Sequence, residues 1–336
     1  MKPRVLLVMT SLPIAALLLG ALLVSALAQE LPPSRSAAPP RPPVRRNAVP
    51  GDTAPSFKVA VKLVNVFVSV VDGEGAPYSK LRKEDFRIFE DGVEQKLAIF
   101  ERESALPLSI VMALDTSLST RKDLALEIAS ARRFTHDILR PVDAISLYEF
   151  STYVSQALPF THDERSVDAA LNHLRTGPAT ALYDAIYLGS QALQRRQGRK
   201  VIVLISDGGD TVSKTDYPEA LRAAQVSEDI IYSIIMVPIE ADAGRDVGGE
   251  HALIQLSHDT GGKYYYATSA AQLDDAFRQI GDELRTQYLL AYYPMNRTGP
   301  EFRRIRIELT TEARQSARRE LSVRHRAGYY NSSKIQ

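Results

Sequence analysis

The sequence predicts a doubly wound α/β domain with a mainly parallel sheet, inserted between flanking β-strands that pair into a β-sandwich. Three observations carry this expectation. Between residues 105 and 286, short apolar runs alternate with amphipathic helical stretches, the pattern of strands crossed over by helices. Residues 58–104 and 287–330 instead alternate apolar and polar side chains with a period of two. Neither flank is long enough to build a two-sheet core alone, so each needs the other.

The chain opens with Lys2 and Arg4 ahead of an apolar stretch at 5–27, and Ala26-Leu27-Ala28 forms a small-x-small cleavage pattern before Gln29. A signal peptide at 1–28 and export to the periplasm, cell envelope or medium are expected. If left uncleaved, 5–27 would anchor the chain in a membrane. Residues 29–57 are rich in Pro, Ala, Ser and Arg without an apolar period, which reads as a semi-extended linker. Its Arg41, Arg45 and Arg46 are expected to be solvated.

From Val59 the run VAVKLVNVFVSVVD alternates as a strand and ends at the turn GEGAP. DFRIFEDG and KLAIFER add a strand, a turn and a further strand. At the other end TQYLLAYYP, FRRIRIELT and ELSVRHRAGYY repeat the period. Ile305, Ile307 and Leu309 share one face there, and Arg304, Arg306 and Glu308 the other. Glutamates interleave with the arginines between 303 and 326, so a solvated face is expected rather than a polyanion site. In the middle segment, strands are expected at LSIVMAL, DAISLYEF, SQALPF, KVIVLIS, IIYSIIMV and KYYYA. Helices are expected at 121–139, 164–174, 183–196, 217–228, 250–259 and 270–286. The Rossmann-like arrangement this implies binds ligands outside the carboxyl ends of its strands, where strand order reverses.

Composition narrows the chemistry. The 336 residues carry 41 Lys and Arg against 40 Asp and Glu, so no basic surplus favours nucleic acid as a partner. The absence of cysteine excludes disulfides, thiolate metal sites and a cysteine nucleophile. No glycine-rich phosphate loop, nucleophile elbow or H-E-x-x-H pair occurs. His251 and His258 lie seven apart on an expected helix and could share a face, and they read as surface or half-buried structural histidines.

Three separated pieces combine carboxylates with hydroxyls: DTSLS at 115–119, GPATALYDA at 177–185 and SDGGD at 206–210. Asp115 and Asp207 each follow an apolar strand-like run; Ser117, Ser119 and Thr180 add neutral oxygens. A small hard cation such as Mg²⁺ takes six oxygens and keeps water readily. With most of those oxygens neutral, the ion stays electrophilic and can accept a carboxylate from another molecule. The simpler reading makes Ser117 and Ser119 caps of a helix beginning near Thr120, and Asp207-Gly208 a turn.

In this order and on this alternation, the three pieces resemble the metal-ion-dependent adhesion site (MIDAS) of von Willebrand factor type A domains. The flanks, with DFRIFEDG, YLLAYYP and the closing AGYY, resemble a group of exported, notably acidobacterial, proteins that carry this domain. The resemblance implies that Asp115, Ser117 and Ser119 supply the D-x-S-x-S ligands, Thr180 the distant threonine and Asp207 the distant aspartate, which in the family often acts through water. It also implies Mg²⁺, with Mn²⁺ or Ca²⁺ as alternatives, and a protein partner presenting an Asp or Glu carboxylate. Leu118 and Thr120 replace the commoner Gly and Met at positions that supply no side-chain ligand. The expected function is a non-enzymatic adhesion or scaffolding module. The alternative is a metal-dependent hydrolase or its regulatory subunit, with Asp184 or Asp210 as the base.

Overall fold

A computed structural model of the chain describes residues 63–102, 105–120, 122–237, 247–296 and 298–331. The expected signal segment and linker lie outside the described residues. The amino-terminal flank forms β1 (Val64–Asp72), β2 (Phe86–Glu90), β3 (Val93–Gln95) and β4 (Leu97–Arg102). Asp91 and Gly92, both at positive φ, make the β2–β3 turn, where glycine removes the cost of the left-handed conformation.

The middle segment contains β5 (Leu108–Asp115), α1 (Leu124–Ile138), β6 (Ala144–Phe150), β7 (Val154–Thr161), α2 (Glu164–Leu171) and α3 (Leu182–Gln194). It continues through β8 (Arg199–Ser206), α4 (Tyr217–Ser227), β9 (Ile230–Met236), α5 (Val247–Thr260), β10 (Tyr264–Ala267) and α6 (Ala270–Thr286). The carboxyl-terminal flank is β11 (Tyr288–Tyr292), β12 (Phe302–Leu309), α7 (Thr311–Ala317), β13 (Leu321–Arg324) and β14 (Gly328–Tyr330).

Six strands form one sheet in the order β10-β9-β8-β5-β6-β7. All its pairings are parallel except that of β6 with the edge strand β7, which form a hairpin. All eight residues of β5 are buried, because it is central and covered on both faces. Ile110, Met112 and Leu114 pack with Phe134 of α1 and Phe277 of α6 on one face. Val111 and Ala113 pack with Leu182 and Ile186 of α3 on the other. Each large apolar side chain buried in this way contributes about 1.5–3 kcal/mol. The chain proceeds from β5 to β6 on one side and returns to β8 on the other, so strand order reverses between β5 and β8. Asp115 closes β5, and Asp207 follows β8 directly.

The flanks form two antiparallel four-stranded sheets, β13-β1-β11-β4 and β14-β12-β2-β3, resembling a β-sandwich. Val66, Val68, Ile88, Leu290, Ile305 and Ile307 lie in their common core. The sequence reading departs from the structure in two places here. Residues 311–317 form α7 rather than part of an alternating stretch, because Thr310 caps it by accepting the Ala313 N–H at 3.2 Å. Arg303 is only 1% exposed, not solvated, and pairs with Glu90 inside the sandwich.

Candidate metal centre

Three loops converge at the carboxyl ends of β5 and β8. In the first, Asp115 is fully buried, and its Oδ1 accepts the Ser117 N–H at 2.9 Å. Its Oδ2 accepts the Ser206 hydroxyl at 2.7 Å, while Ser206 Oγ in turn accepts the Gly208 N–H at 3.1 Å. The Ser117 and Ser119 hydroxyls lie 2.9 Å apart. Thr120 closes the loop by donating its hydroxyl to the Asp115 carbonyl at 2.8 Å. Helix α1 begins four residues later, with Asp123 at its N-cap position, so neither serine caps it. The simple capping reading of Ser117 and Ser119 therefore fails.

The second loop is fastened to the first: the Gly177 N–H donates to the Thr116 carbonyl at 3.1 Å, and Ser117 and Gly177 form an isolated parallel bridge. It carries Thr180, which is 5% exposed. The Thr180 backbone is held on both sides, its N–H donating to Thr211 Oγ1 at 2.9 Å and its carbonyl accepting the Thr211 N–H at 2.9 Å. Thr211 belongs to the third loop, which begins at the half-buried Asp207. All five residues singled out in the sequence thus sit on three loops that are hydrogen-bonded to one another.

The third loop is shaped by glycine. Gly208 has φ +98°, and a Cβ built on Gly249 at the start of α5 would stand 1.7 Å from the Gly208 carbonyl oxygen. Only two glycines allow α5 to approach the backbone beside Asp207 this closely.

Electrostatics set the site apart from its surroundings. Burial pushes the Asp115 carboxyl up to about 6, and the charge of Asp207 adds to the rise, against the lowering effect of the Ser206 and Ser117 hydrogen bonds. Among the described residues, no three His, Cys, Asp or Glu side chains form a group that could hold a metal ion. Asp115 and Asp207 supply two carboxylates, and the remaining candidate donors, Ser117, Ser119 and Thr180, are hydroxyls. Such a donor set suits a hard cation that keeps water, and the like-charged carboxylates supply a reason for it to bind.

Two aspartates considered as bases are engaged elsewhere. Asp210 Oδ1 accepts the Leu182 N–H at 2.8 Å and the Tyr183 N–H at 3.3 Å, capping α3 from a distant loop, and also the Ser213 hydroxyl at 2.5 Å. Asp184 accepts the Thr215 N–H at 2.9 Å and the Lys214 N–H at 3.1 Å. It fastens the third loop rather than capping its own helix.

Sequence reasoning missed Ser206, whose hydroxyl orients Asp115, and Glu127 of α1. Glu127 is fully buried, and neither of its carboxylate oxygens has a hydrogen-bond partner among the described residues. A signal for Glu127 did exist: it falls on the same helical face as Ala131, Phe134 and Ile138, all buried.

The fold and the loops define a doubly wound α/β domain with carboxylates and hydroxyls gathered at its switch point. Residues 110–209 match the family model described as the von Willebrand factor type A domain, so the chain contains a domain of this kind. A comparison with curated proteins found no match. Solved structures similar to the chain include the conserved hypothetical protein BatB from Bacteroides thetaiotaomicron, at 19% identity over 53% of this chain and 100% of that one, with a TM-score of 0.43. The vWF domain of the type V pili tip protein Mfa5 from Porphyromonas gingivalis matches at 16% identity over 53% of this chain and 95% of that one, with a TM-score of 0.43. The PilB minor pilin from Streptococcus sanguinis matches at 13% identity over 55% and 62% respectively, with a TM-score of 0.43. Among the described residues, no helix is long and apolar enough to cross a membrane.

Proposed function

We propose that the chain is an exported protein-interaction module whose von Willebrand factor type A domain binds a partner's Asp or Glu carboxylate through a divalent cation, Mg²⁺ in the first instance. Asp115, Ser117, Ser119, Thr180 and Asp207 are its ligands in this reading, with Asp207 acting directly or through water. The observation that carries it is the placement of Asp115. A buried carboxylate at the switch point, oriented through both oxygens and facing the charge of Asp207, is costly without a cation and useful with one. The neutral hydroxyls leave the cation electrophilic, which is what an incoming carboxylate requires.

The rim suits a protein partner. Leu118 is 52% exposed and Val212 42%, on the first and third loops, and Tyr153 in the β6–β7 turn is 82% exposed. These apolar groups lie toward the same sheet end as the carboxylates, available to cover a partner's side chains around the cation. Hydrolysis is the weaker reading, because Asp184 accepts backbone N–H groups of the third loop and Asp210 Oδ1 those at the start of α3.

The test is a calorimetric titration of Mg²⁺ or Mn²⁺ into the protein and into Asp115→Ala. A saturable heat is expected for the first and none for the second. Indistinguishable heats for the two would contradict the assignment.

A further inference from the structure

Helix α1 begins shortly after the Asp115 loop and runs back along the sheet, so its first turns lie level with the carboxyl end of β5. Glu127 occupies the first of these turns and is buried along with Ala131 and Phe134 of the same helix. Its carboxylate is wholly removed from solvent, and among the described residues neither oxygen has a hydrogen-bond partner. A buried acid in that condition is destabilising whether ionised or protonated, since even the protonated group leaves a donor and an acceptor unmatched. Core packing gives no reason for it, because a Leu or Met at 127 would join the apolar face of α1 without that cost. The charges that bear on it besides its neighbour Asp123 are those of Asp115 and Asp207, which places it in the field of the candidate metal centre.

Resting on the cation reading above, we propose that Glu127 is the outer carboxylate of the metal centre, acting on the cation through water and adding a third negative charge to those of Asp115 and Asp207. Its role is one of positioning: it does not join the direct ligands, in keeping with the absence of a three-carboxylate group among the described residues. Two consequences follow. The orphaned oxygens gain partners only when the hydrated cation is in place, so the cation relieves an unfavourable burial as well as filling a site. The third charge also strengthens retention of the cation while the domain is free of its partner. The chain would then carry its cation constitutively, and the partner's carboxylate would meet a loaded site.

The experiment is Mn²⁺ titration, followed by calorimetry and by thermal melting, of the wild type, Glu127→Gln and Glu127→Met. Met fills the same volume without polar atoms, so it covers the case in which Gln fails to fold. The wild type should bind Mn²⁺ and gain melting temperature with it. The variants should bind at least about tenfold more weakly, the scale on which outer partners of metal ligands act. Without cation, Glu127→Met should melt at or above the wild type. Equal affinity in wild type and variants would overturn the role of Glu127 while leaving the centre intact. No binding by the wild type would overturn both.

Discussion

Single side chains in this protein do more than fill space, and His325 shows how. Its Nε2 accepts the Ile307 N–H at 3.1 Å, so the ring proton sits on Nδ1 and is donated to the Arg326 carbonyl at 2.8 Å. Burial holds its pKa below the usual value, against the raising effect of its hydrogen bond to the Arg326 carbonyl and with the Arg326 charge acting in the same direction as burial. The unfolded chain therefore takes up a proton near pH 6.5 that the folded ring refuses until lower pH. Stability from this residue is complete above about pH 6.5 and is lost as pH falls toward the folded value, at no more than about 1.4 kcal/mol per pH unit. Melting temperatures at pH 7.5 and 5.5 should fall less in His325→Gln than in the wild type; an equal fall would refute the assignment. The same scale separates what the sequence discloses from what it hides. Asp115, Ser117 and Ser119 stand together in the chain, whereas the partners that orient them, Ser206 above all, become neighbours only on folding. Glu127 is one charge in an apolar helical period, and its orphaned state exists only once the core has closed around it.

Elements, rather than residues, were the most legible part. The alternation of apolar runs with helical periods gave each strand and helix of the middle segment, because β5, β8 and β9 are buried on both faces and α1 to α6 on one. Helix α7 escaped because seven residues hold too little period to distinguish from a strand connection. The loop after β8 depends on contacts between elements that local sequence does not encode. Asp210 caps α3, and Gly208 admits α5. An alanine at 249 would place its Cβ 1.7 Å from the Gly208 oxygen, so α5 must retreat from the loop that begins at Asp207. Gly249→Ala should cost about 1–3 kcal/mol in stability and weaken cation binding together. Gly281→Ala, whose Cβ would meet only Ile138 Cδ1 at 3.6 Å in the interior of α6, should keep cation affinity and hold or raise stability. Denaturant melts and Mn²⁺ titrations of both variants decide the matter, and equal behaviour of the two would contradict the packing argument.

At the scale of the molecule, the two flanks close on each other around the inserted α/β unit. β1 pairs with β11 and with β13, joining strands more than two hundred residues apart in sequence. Glu90 of β2 lies at the centre of a buried network, accepting Arg303 Nη1 at 2.5 Å, the Tyr292 hydroxyl at 2.7 Å and the Tyr329 hydroxyl at 2.9 Å. A buried charge held by so many donors specifies one pairing of the flanks, because any other would strand it. Only Gln287 separates α6 from β11, and Arg324 of β13 bonds Glu283 of α6, so the sandwich is tied directly to the last helix of the α/β unit. The sequence showed that the flanks needed each other, but not this network: Arg303 read as one of the solvated arginines of an alternating strand, and nothing local marks Glu90 as its partner.

The central claim is that the three loops at the switch point hold a divalent cation. Anomalous diffraction from crystals of the protein grown with Mn²⁺ tests it most directly. The account predicts one strong peak within coordination distance of oxygens from Asp115, Ser117 and Ser119. A map with no peak there, or with Mn²⁺ bound only at other carboxylates, would contradict it.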